Sequence, residues 1–350
     1  MNDIRALWTH RYHKAADLAR TYLRFWGTWL WVRWLKLLAP KRRVIGILLA
    51  EHFGDIVACE PLGRYLRLEH PNDRLYWIVR EPFRELVEVH PDLDGVLIEP
   101  NVLYSCLLHD NRVFDHLYFP YLSTRVYPYT QRRLVNPTAE RLGINVFNYF
   151  KFGNILQVFS RCAGLPPLDD APQVYLQPVH AASVDALHLP PAFVVVHCHS
   201  NYAPKDWQVP HWNRLVRAIF AETGLPVVEV GLKSTLTPPE TGYRTLCGQL
   251  SLLETAEVIR RAAYFIGVDS GPAHLANAVG TFGFVLLGRL NNLTHYLPYS
   301  GRYAAGDGVL VIQGGEKPVS ELPYETVWHP IRSTLSSRSR TEAIPSAPIF

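Results

Sequence analysis

Residues 264–288 read YFIGVDSGPAHLANAVGTFGFVLLG. The apolar run 264–268 predicts a buried strand. Pro272 then opens a short helix that Gly280 ends, because proline suits the first turn of a helix and glycine the position just past its end. A second apolar strand follows over residues 284–287. Strand, helix and strand in this order predict a βαβ unit.

The turn between the first strand and the helix consists of Asp269, Ser270 and Gly271. Backbone N–H groups at a helix start are unpaired, and the helix dipole favours negative charge there, so this turn is a candidate phosphate site. Ser270 can add a hydroxyl donor, and Gly271 lets a ligand approach the backbone closely. The alternative interpretation is a capped helix in which Asp269 and Ser270 satisfy only their own backbone.

Length and composition predict a cytoplasmic protein of two domains. The chain has 350 residues, of which 48% are hydrophobic and 19% charged, enough for a sizeable core. Its five cysteines are scattered and lack C-x-x-C spacing. This pattern indicates reduced thiols and excludes a disulfide framework or a zinc cluster.

The first 43 residues form a basic, tryptophan-rich arm. Ten Lys or Arg against Asp3 and Asp17 give a charge of +8, which leaves −4 for the rest, and five of the nine tryptophans lie here. Tryptophan interleaved with Arg and Lys is typical of a helix at the headgroup level of an anionic membrane, so residues 1–40 are predicted to contact one. The alternative is a helix packed on the protein body or on another subunit. Nucleic acid is not an expected partner, because no recognised binding fold follows.

Two further expectations concern this arm. Its longest uncharged run, residues 25–32, is far too short to cross a bilayer, and no signal-peptide cleavage pattern follows it. Arg20 and Arg24 lie nearly opposite Arg33 and Lys36 on a helical wheel, which predicts a break at Gly27.

The first half of the body alternates strands and helices. The apolar run 44–50 predicts a buried parallel strand, and Gly54 with Asp55 precedes a helix predicted over 56–68, which makes Gly54–Asp55 a second candidate site. A lone Asp55 could equally be a helix cap. Strands at 75–79 and 95–98 with a helix at 82–90 continue the α/β pattern. The many aromatic residues of 101–172 fit either a core or an acceptor cleft.

The second half begins after a proline-rich hinge at 165–178, with a strand at 193–196. His197 and His199 follow it, but without further spaced ligands they favour no metal site. Lys205 lies in the loop beyond, where an ammonium could neutralise a diphosphate, a surface lysine being the alternative. Near the end, Pro330 is predicted to stop or kink a last short helix that begins at 323.

Three stretches together resemble the family 9 glycosyltransferases, the ADP-heptose:lipopolysaccharide heptosyltransferases. They are the strand-Gly-Asp-helix start, the strand-Ser-loop-Lys-x-Trp segment and D-S-G-P-x-H-L-A, and the resemblance covers about residues 44–315. It implies a GT-B fold, in which two Rossmann-like domains face each other across a cleft. Residues 44–175 would form the acceptor domain and 176–335 the nucleotide-sugar domain. The arm 1–43 and a disordered tail over 336–350 lie outside it.

The resemblance also implies inverting transfer without a metal or other cofactor, from a nucleotide-sugar donor, ADP-heptose, to a glycolipid or glycan acceptor at the inner face of the cytoplasmic membrane. Asp55, after Gly54, matches the general base, and Lys205 matches the lysine that holds the donor diphosphate. The remaining donor-binding residues implied are Ser200 near the phosphates, the loop Asp269, Ser270 and Gly271, and His274, which serves packing more than catalysis.

Two alternatives to this function stay open. Residues 231–234 contain no acidic residue to match the glutamate that often holds the ribose, so a different nucleotide sugar, for O-antigen or capsule, is one alternative. A non-catalytic nucleotide-sugar-binding protein is the other. A nicotinamide-dependent oxidoreductase is disfavoured, because no G-x-G-x-x-G fingerprint is present.

Overall fold

The computed structural model describes residues 2–237 and 241–338. The chain divides into two compact units, Met1–Asp169 and Asp170–Phe350. Most of the tail predicted over 336–350 lies outside the described residues. The five cysteines are free thiols, as the sequence predicts.

Unit 1 is built on a parallel sheet. Its strand order is β3-β2-β1-β4, and β5 pairs with β6 in a separate antiparallel ribbon. The strands are β1 (Val44–Leu48), β2 (Arg74–Val79), β3 (Gly95–Ile98), β4 (His116–Tyr118), β5 (Arg125–Tyr127) and β6 (Arg132–Leu134). The helices are α1 (Asn2–Leu38), α2 (Phe53–Ala58), α3 (Pro61–Glu69), α4 (Arg84–Glu88), α5 (Val102–Asp110), α6 (Pro137–Leu142) and α7 (Ile155–Cys162).

The helix predicted over 56–68 is in fact two helices. The first, α2, ends at Ala58, and Pro61 opens α3. Proline lacks the N–H that an interior helical position must donate, so it starts a new helix more readily than it continues one. The helix predicted over 82–90 is likewise shortened to α4, with a 3₁₀ turn before it.

The N-terminal helix α1 runs without a break from Asn2 to Leu38, so the predicted break at Gly27 is wrong. One side of α1 is held against unit 1 by the buried side chains of Phe25, Val32 and Leu35. The Thr28 hydroxyl also hydrogen-bonds the hydroxyl of Tyr104 (2.9 Å). Packing on one side keeps the helix continuous, while the glycine lies on the exposed side.

Unit 2 has a second parallel sheet, with the order β12-β11-β10-β7-β8-β9. Its strands are β7 (Val194–His197), β8 (Val227–Glu229), β9 (Tyr243–Thr245), β10 (Tyr264–Val268), β11 (Gly283–Leu287) and β12 (Val309–Gln313). The helices are α8 (Pro178–Asp185), α9 (Val209–Thr223), α10 (Leu252–Arg261), α11 (Gly271–Val279), α12 (Gly301–Ala304) and α13 (Tyr324–Arg338). This is the Rossmann strand order. Successive strands are added toward one edge of the sheet from β7 to β9 and toward the other edge from β10 to β12, so the switch point lies between β7 and β10.

The predictions for two helix ends in unit 2, at Gly280 and at Pro330, have different outcomes. Gly280 adopts a left-handed conformation (φ +76°) and ends α11, as predicted. Pro330 does not stop the last helix, because α13 continues to Arg338. Val327, Ile331 and Leu335 are buried on one face of α13 before and after the proline, and this packing holds the helix together across it.

Within the part of the chain that the structure describes, no helix is long and apolar enough to cross a bilayer. The aromatic residues between 101 and 172 are only partly in the core, and their role in an acceptor cleft stays a prediction. Phe119 and Tyr127 belong to the core of unit 1, whereas Phe147 and Phe152 are exposed.

Candidate functional site

The Asp269-Ser270-Gly271 turn lies where β10 ends and α11 begins, as the sequence predicts. Ser270 precedes the helix in an extended conformation and donates its hydroxyl to the carbonyl of Val268 (3.0 Å) instead of capping the first turn. Gly271 and Pro272 then open the helix. Pro272 has no N–H, and the N–H of Ala273 donates to the Ser270 carbonyl (3.1 Å), so a candidate anion site at this helix start depends on the backbone of Ser270 and Gly271.

Lys205 and the turn meet at the sheet's switch point. Lys205 lies in a 3₁₀ turn, Ala203–Lys205, beyond the end of β7, and β7 is the neighbour of β10. Its Nζ lies 2.6 Å from Oδ2 of Asp269. Because the carboxyl ends of parallel neighbouring strands share one edge of a sheet, residues 64 positions apart come together at the place where such sheets bind ligands.

Asp269 has a role that the sequence did not suggest. Its buried carboxylate accepts hydrogen bonds from Lys205 and from the Tyr296 hydroxyl (3.1 Å). Burial alone would raise the pKa of Asp269, but the Lys205 ammonium holds that pKa below its usual value. Asp269 therefore stays ionised and positions Lys205 beside the helix start.

His274 is buried in the first turns of α11 and packs against the ring of Tyr299, with 4.8 Å between centroids. Among the described residues none hydrogen-bonds its Nδ1. Burial lowers the pKa of His274 to about 4, more than the nearby Asp269 carboxylate raises it. This neutral, enclosed imidazole has the surroundings of a packing residue.

The pKa of His274 predicts a loss of stability in mild acid. The unfolded imidazole takes up a proton as the pH falls below about 6.5, whereas the folded one stays neutral until about pH 4, so stability is lost across that window. Between pH 7 and 5 this amounts to about 2 kcal/mol. Urea unfolding at both pH values should show this loss in the wild type and a smaller one in His274→Asn.

The comparison uses the difference in stability between the two pH values within each protein. The contributions of the histidines that the wild type and His274→Asn share then cancel. An unchanged pH dependence in His274→Asn would contradict a neutral buried imidazole.

Ser200 is engaged within its own loop. Its backbone N–H and its hydroxyl both donate to Oδ1 of Asp206, at 2.6 and 2.7 Å. These bonds fix the segment between β7 and Lys205, so Ser200 shapes the loop that carries the lysine. Direct contact of Ser200 with a phosphate stays a prediction.

The two histidines at and just beyond the end of β7 have separate hydrogen-bond partners. The buried His197 donates from Nδ1 to the carbonyl of Val230 (2.9 Å), whereas His199 hydrogen-bonds Thr235. Across residues 2–237 and 241–338, no group of three or more His, Cys, Asp or Glu side chains is placed to hold a metal ion.

The last residue of β8 is acidic. It lies two positions before residues 231–234, a segment that contains no acidic residue. Glu229 is only 1% exposed, and it accepts a 2.5 Å hydrogen bond from the Tyr243 hydroxyl on β9. This carboxylate is directed into the protein and fills a structural position. Glu229 is therefore not assigned as the ribose-binding glutamate that residues 231–234 lack.

In unit 1, Gly54 and Asp55 lie in the first turn of α2, which follows the end of β1. Both residues are partly exposed. Burial raises the pKa of the Tyr121 phenol to about 12, with smaller contributions from the carboxylates of Asp55 and Glu51. Asp55 is therefore in the position that the sequence predicts, at the carboxyl edge of the first sheet, with a second carboxylate in the same loop.

Sequence reasoning missed two residues of the unit 2 site, Asp206 and Tyr296. Asp206 follows Lys205 directly and could have been noted as a loop-fixing carboxylate. Tyr296 gave no signal, because it lies 27 residues beyond Asp269 in a segment without periodicity.

Comparison with known proteins agrees with this geometry. Residues 154–300 match the family model of glycosyltransferase family 9 (heptosyltransferase). No curated protein sequence matches the chain.

Several solved structures are similar. A family 9 glycosyl transferase from Veillonella parvula superposes with a TM-score of 0.63 at 13% identity, over 84% of this chain and 98% of the other. The E. coli ADP-heptose lps heptosyltransferase II gives 0.58 at 15% identity, covering 85% and 99%. The iron-containing dodecameric glycosyltransferase TibC from enterotoxigenic E. coli gives 0.57 at 15%, covering 87% and 81%.

At these identities the solved structures establish the fold, and they confirm the predicted α/β class with Rossmann-like parallel sheets. The family match covers the β7 loop with Lys205 and the Asp269 turn, the two segments that form the unit 2 site. The resemblance stated on the sequence is thereby confirmed for residues 154–300, which are similar to the family 9 glycosyltransferases (heptosyltransferases), and the chain is a glycosyltransferase.

Proposed function

We propose that the chain transfers heptose from ADP-heptose to the glycan of a lipopolysaccharide core or a related surface glycolipid. The observation that carries this proposal is the Lys205–Asp269 pair at the start of α11. It puts one fixed ammonium beside the backbone N–H groups of a helix start, which together suit a diphosphate.

The reaction needs a base that takes the proton of the acceptor hydroxyl and a positive charge that stabilises the departing diphosphate. The acceptor hydroxyl oxygen bonds to the anomeric carbon of the donor, its proton passes to the Asp55 carboxylate, and the bond from the anomeric carbon to the phosphate oxygen breaks. ADP leaves with the electron pair of that bond. Attack on the face opposite the leaving group inverts the anomeric centre.

Lys205 supplies the charge for the departing diphosphate. The Lys205 side chain is 20% exposed, and its ammonium is held by Asp269 and so is oriented before the donor binds. Preorganised charge of this kind stabilises developing negative charge without reorganisation during the reaction.

We therefore propose that the transfer needs no metal ion. Protein that has been treated with EDTA, and that elemental analysis shows to be free of iron, should keep full activity.

A second candidate donor is a different nucleotide sugar. This alternative is favoured because the buried Glu229 carboxylate is bonded to Tyr243, so no residue is assigned to hold the ribose of ADP. Incubation of the full chain with ADP-heptose and a panel of UDP-, GDP- and ADP-sugars, with mass spectrometry of lipopolysaccharide-core acceptors, decides between them. Transfer from another donor alone would contradict the ADP-heptose proposal, and donor binding without any transfer would favour the non-catalytic alternative.

We further propose that α1 holds the protein peripherally on the inner face of the cytoplasmic membrane. A straight helix places every residue at 100° from the last, and one sector about 80° wide then runs about 43 Å along α1 with apolar side chains. The large, exposed members of this lipid-facing stripe are Trp8, Tyr12, Leu23, Trp26, Leu30, Trp34 and Leu37. The buried face of the helix lies on the other side.

Cationic residues border the lipid-facing stripe on both sides. Arg20 and Arg24 lie along one border and Arg11 and Arg33 along the other, and all four are exposed. Three of the four charges that suggested a break at Gly27 therefore lie at the margins of one apolar surface, and the fourth, Lys36, pairs with Asp115 of unit 1 (2.8 Å). Arginine at both margins and tryptophan within suit a helix lying in the headgroup layer of an anionic bilayer.

We expect Leu23→Ser, Leu30→Ser and Leu37→Ser together to weaken binding to phosphatidylglycerol-containing vesicles at least tenfold, because three exposed leucines lose their apolar contact with lipid. Vesicle sedimentation measures it, and binding should also fall as salt rises. Deletion of residues 1–40 is a poorer test, since it also removes the core residues Phe25, Val32 and Leu35.

Leu68→Ser is the matched control for these substitutions, because Leu68 is 78% exposed on α3 and lies off the lipid-facing stripe. It should bind vesicles like the wild type. Equal binding by the triple variant would contradict membrane docking, and a triple variant that changes only the oligomeric state in light scattering would assign the stripe to a second copy of the chain.

A further inference from the structure

Unit 1 contains a polar cavity of about 510 Å³ that the assigned residues do not use. It lies at the carboxyl edge of the first sheet, where Glu51, Arg80 and Glu99 follow β1, β2 and β3. Its volume is within the range of small-ligand sites, and the carboxyl edge is where parallel sheets bind ligands. We call it the edge cavity.

The floor of the edge cavity is a fixed ionic group. Arg125 on β5 is 7% exposed and forms a two-pronged pair with Glu99, at 2.7 and 2.5 Å. The Arg125 guanidinium also pairs with Glu51, and the Ser105 hydroxyl donates to Glu99. Buried charges hold a defined geometry only when they are paired, and here the one guanidinium of Arg125 is paired with both Glu99 and Glu51.

One wall of the edge cavity comes from α1. Asp17 accepts hydrogen bonds at Oδ2 from the Asn101 amide (3.0 Å) and the Tyr127 hydroxyl (2.7 Å), and Asn101 also donates to Thr21 (2.7 Å). These bonds seat α1 over the strand ends and bring Arg20 to the cavity. The family match, residues 154–300, includes none of the lining residues, so the whole edge cavity lies outside the matched segment.

The charges in the edge cavity balance. The carboxylates of Asp17, Glu51 and Glu99 are matched by three guanidinium groups, those of Arg20, Arg80 and Arg125. Arg80 is fixed by the carbonyls of Ala50 (3.0 Å) and Glu51 (2.8 Å).

The lining of the edge cavity thus contains both donor and acceptor side chains, and each sugar hydroxyl both donates and accepts, so the lining complements a sugar. A phosphate would meet the three carboxylates, and an apolar group would leave the charges unsolvated.

Glu51, which lines the edge cavity, lies in the loop between β1 and α2, four residues before the predicted general base, Asp55. Burial, followed by the charges of Asp55 and Glu51, raises the pKa of Tyr121, so both carboxylates act on the same phenol. A sugar held by Glu51 would therefore lie on the same side of the sheet as Asp55.

We propose that the edge cavity binds an uncharged sugar unit of the acceptor glycan and that Arg20 of α1 determines which acceptor is accepted. This inference rests on the proposed transfer to a glycan. Arg20 positions the acceptor and takes no part in the chemical step, so its loss affects acceptor binding before it affects turnover.

The test compares two arginines one turn apart on α1. Arg20 lines the edge cavity, whereas Arg24 does not, and both are exposed on the same margin of the lipid-facing stripe. Arg20→Gln should raise KM for the delipidated, dephosphorylated lipopolysaccharide-core oligosaccharide about tenfold or more, the loss expected for a charged hydrogen bond, with donor KM unchanged. Arg24→Gln should change the acceptor KM less than about twofold. Equal effects of the two variants would overturn the proposal.

Direct binding separates this inference from the proposed function. Saturation-transfer NMR with the same oligosaccharide and full-length protein needs no donor, so it reports on the edge cavity even if ADP-heptose is not the substrate. Signal in the wild type and Arg24→Gln that falls in Arg20→Gln supports the proposal. Absence of signal in the wild type, or tenfold tighter binding of the phosphorylated oligosaccharide, would overturn the assignment to an uncharged sugar.

Discussion

Asp55→Asn is expected to lower kcat by about 10²- to 10⁴-fold, the usual contribution of a general base. The amide keeps the shape of the side chain but cannot take the proton of the acceptor hydroxyl. Donor affinity and Tm should stay close to those of the wild type, because the change is on a partly exposed side chain in unit 1. Steady-state kinetics with the active donor and calorimetric titration of that donor provide the two measurements.

The control for this variant is Glu140→Gln. Glu140 is an exposed carboxylate in the first turn of α6, which has six residues like α2 and belongs to the same unit. Both substitutions remove one negative charge from a helix start, so any effect of the helix dipole is shared. A kcat for Asp55→Asn within a few-fold of the Glu140→Gln value would remove Asp55 from the catalytic role.

Lys205→Met is expected to weaken donor binding about 10- to 150-fold and to destabilise unit 2. The loss of affinity follows from removal of one charged contact to the diphosphate. The loss of stability, about 3 kcal/mol, follows because Asp269 remains buried without its cation. Calorimetric titration and thermal unfolding measure the two effects, and the melting temperature should fall by about 6–12 °C.

A second substitution separates these effects. Lys205→Met with Asp269→Asn removes both charges, so stability should recover in large part while donor affinity stays low. Lys151→Met, a substitution of an exposed lysine that also lies in a 3₁₀ turn, should change neither quantity. Recovery of donor affinity in the double variant would show that Lys205 acts only as the partner of Asp269.

The local elements around residues 264–288 could be predicted well from sequence. β10 has the predicted bounds, Gly280 ends α11 in the left-handed conformation that glycine adopts most easily, and β11 extends the predicted strand by one residue. These features depend on backbone preferences within a few residues, and so a single stretch of sequence contains the information.

The helix breaks predicted from a proline and a glycine were wrong at two positions where side-chain packing stabilises a continuous helix. Pro330 lies inside α13 and Gly27 inside α1, because buried side chains on both sides of each residue stabilise the continuous helix. The cost of one lost hydrogen bond or of one flexible residue is a few kcal/mol at most. A long packed face contributes more, and only the folded chain shows which face that is.

The sequence by itself determined the α/β class, the strand-to-helix turns at Asp55 and Asp269 and the family resemblance, because each follows from residues close together in the chain. Only the tertiary structure decided that Asp269 holds Lys205 and that α1 presents one face to the core and the opposite face, lined with leucine and tryptophan, to the surroundings. It also decided that Asp17 and Glu99 border one cavity. These relations join residues tens of positions apart, and strand order and helix packing, which no local pattern encodes, bring them together.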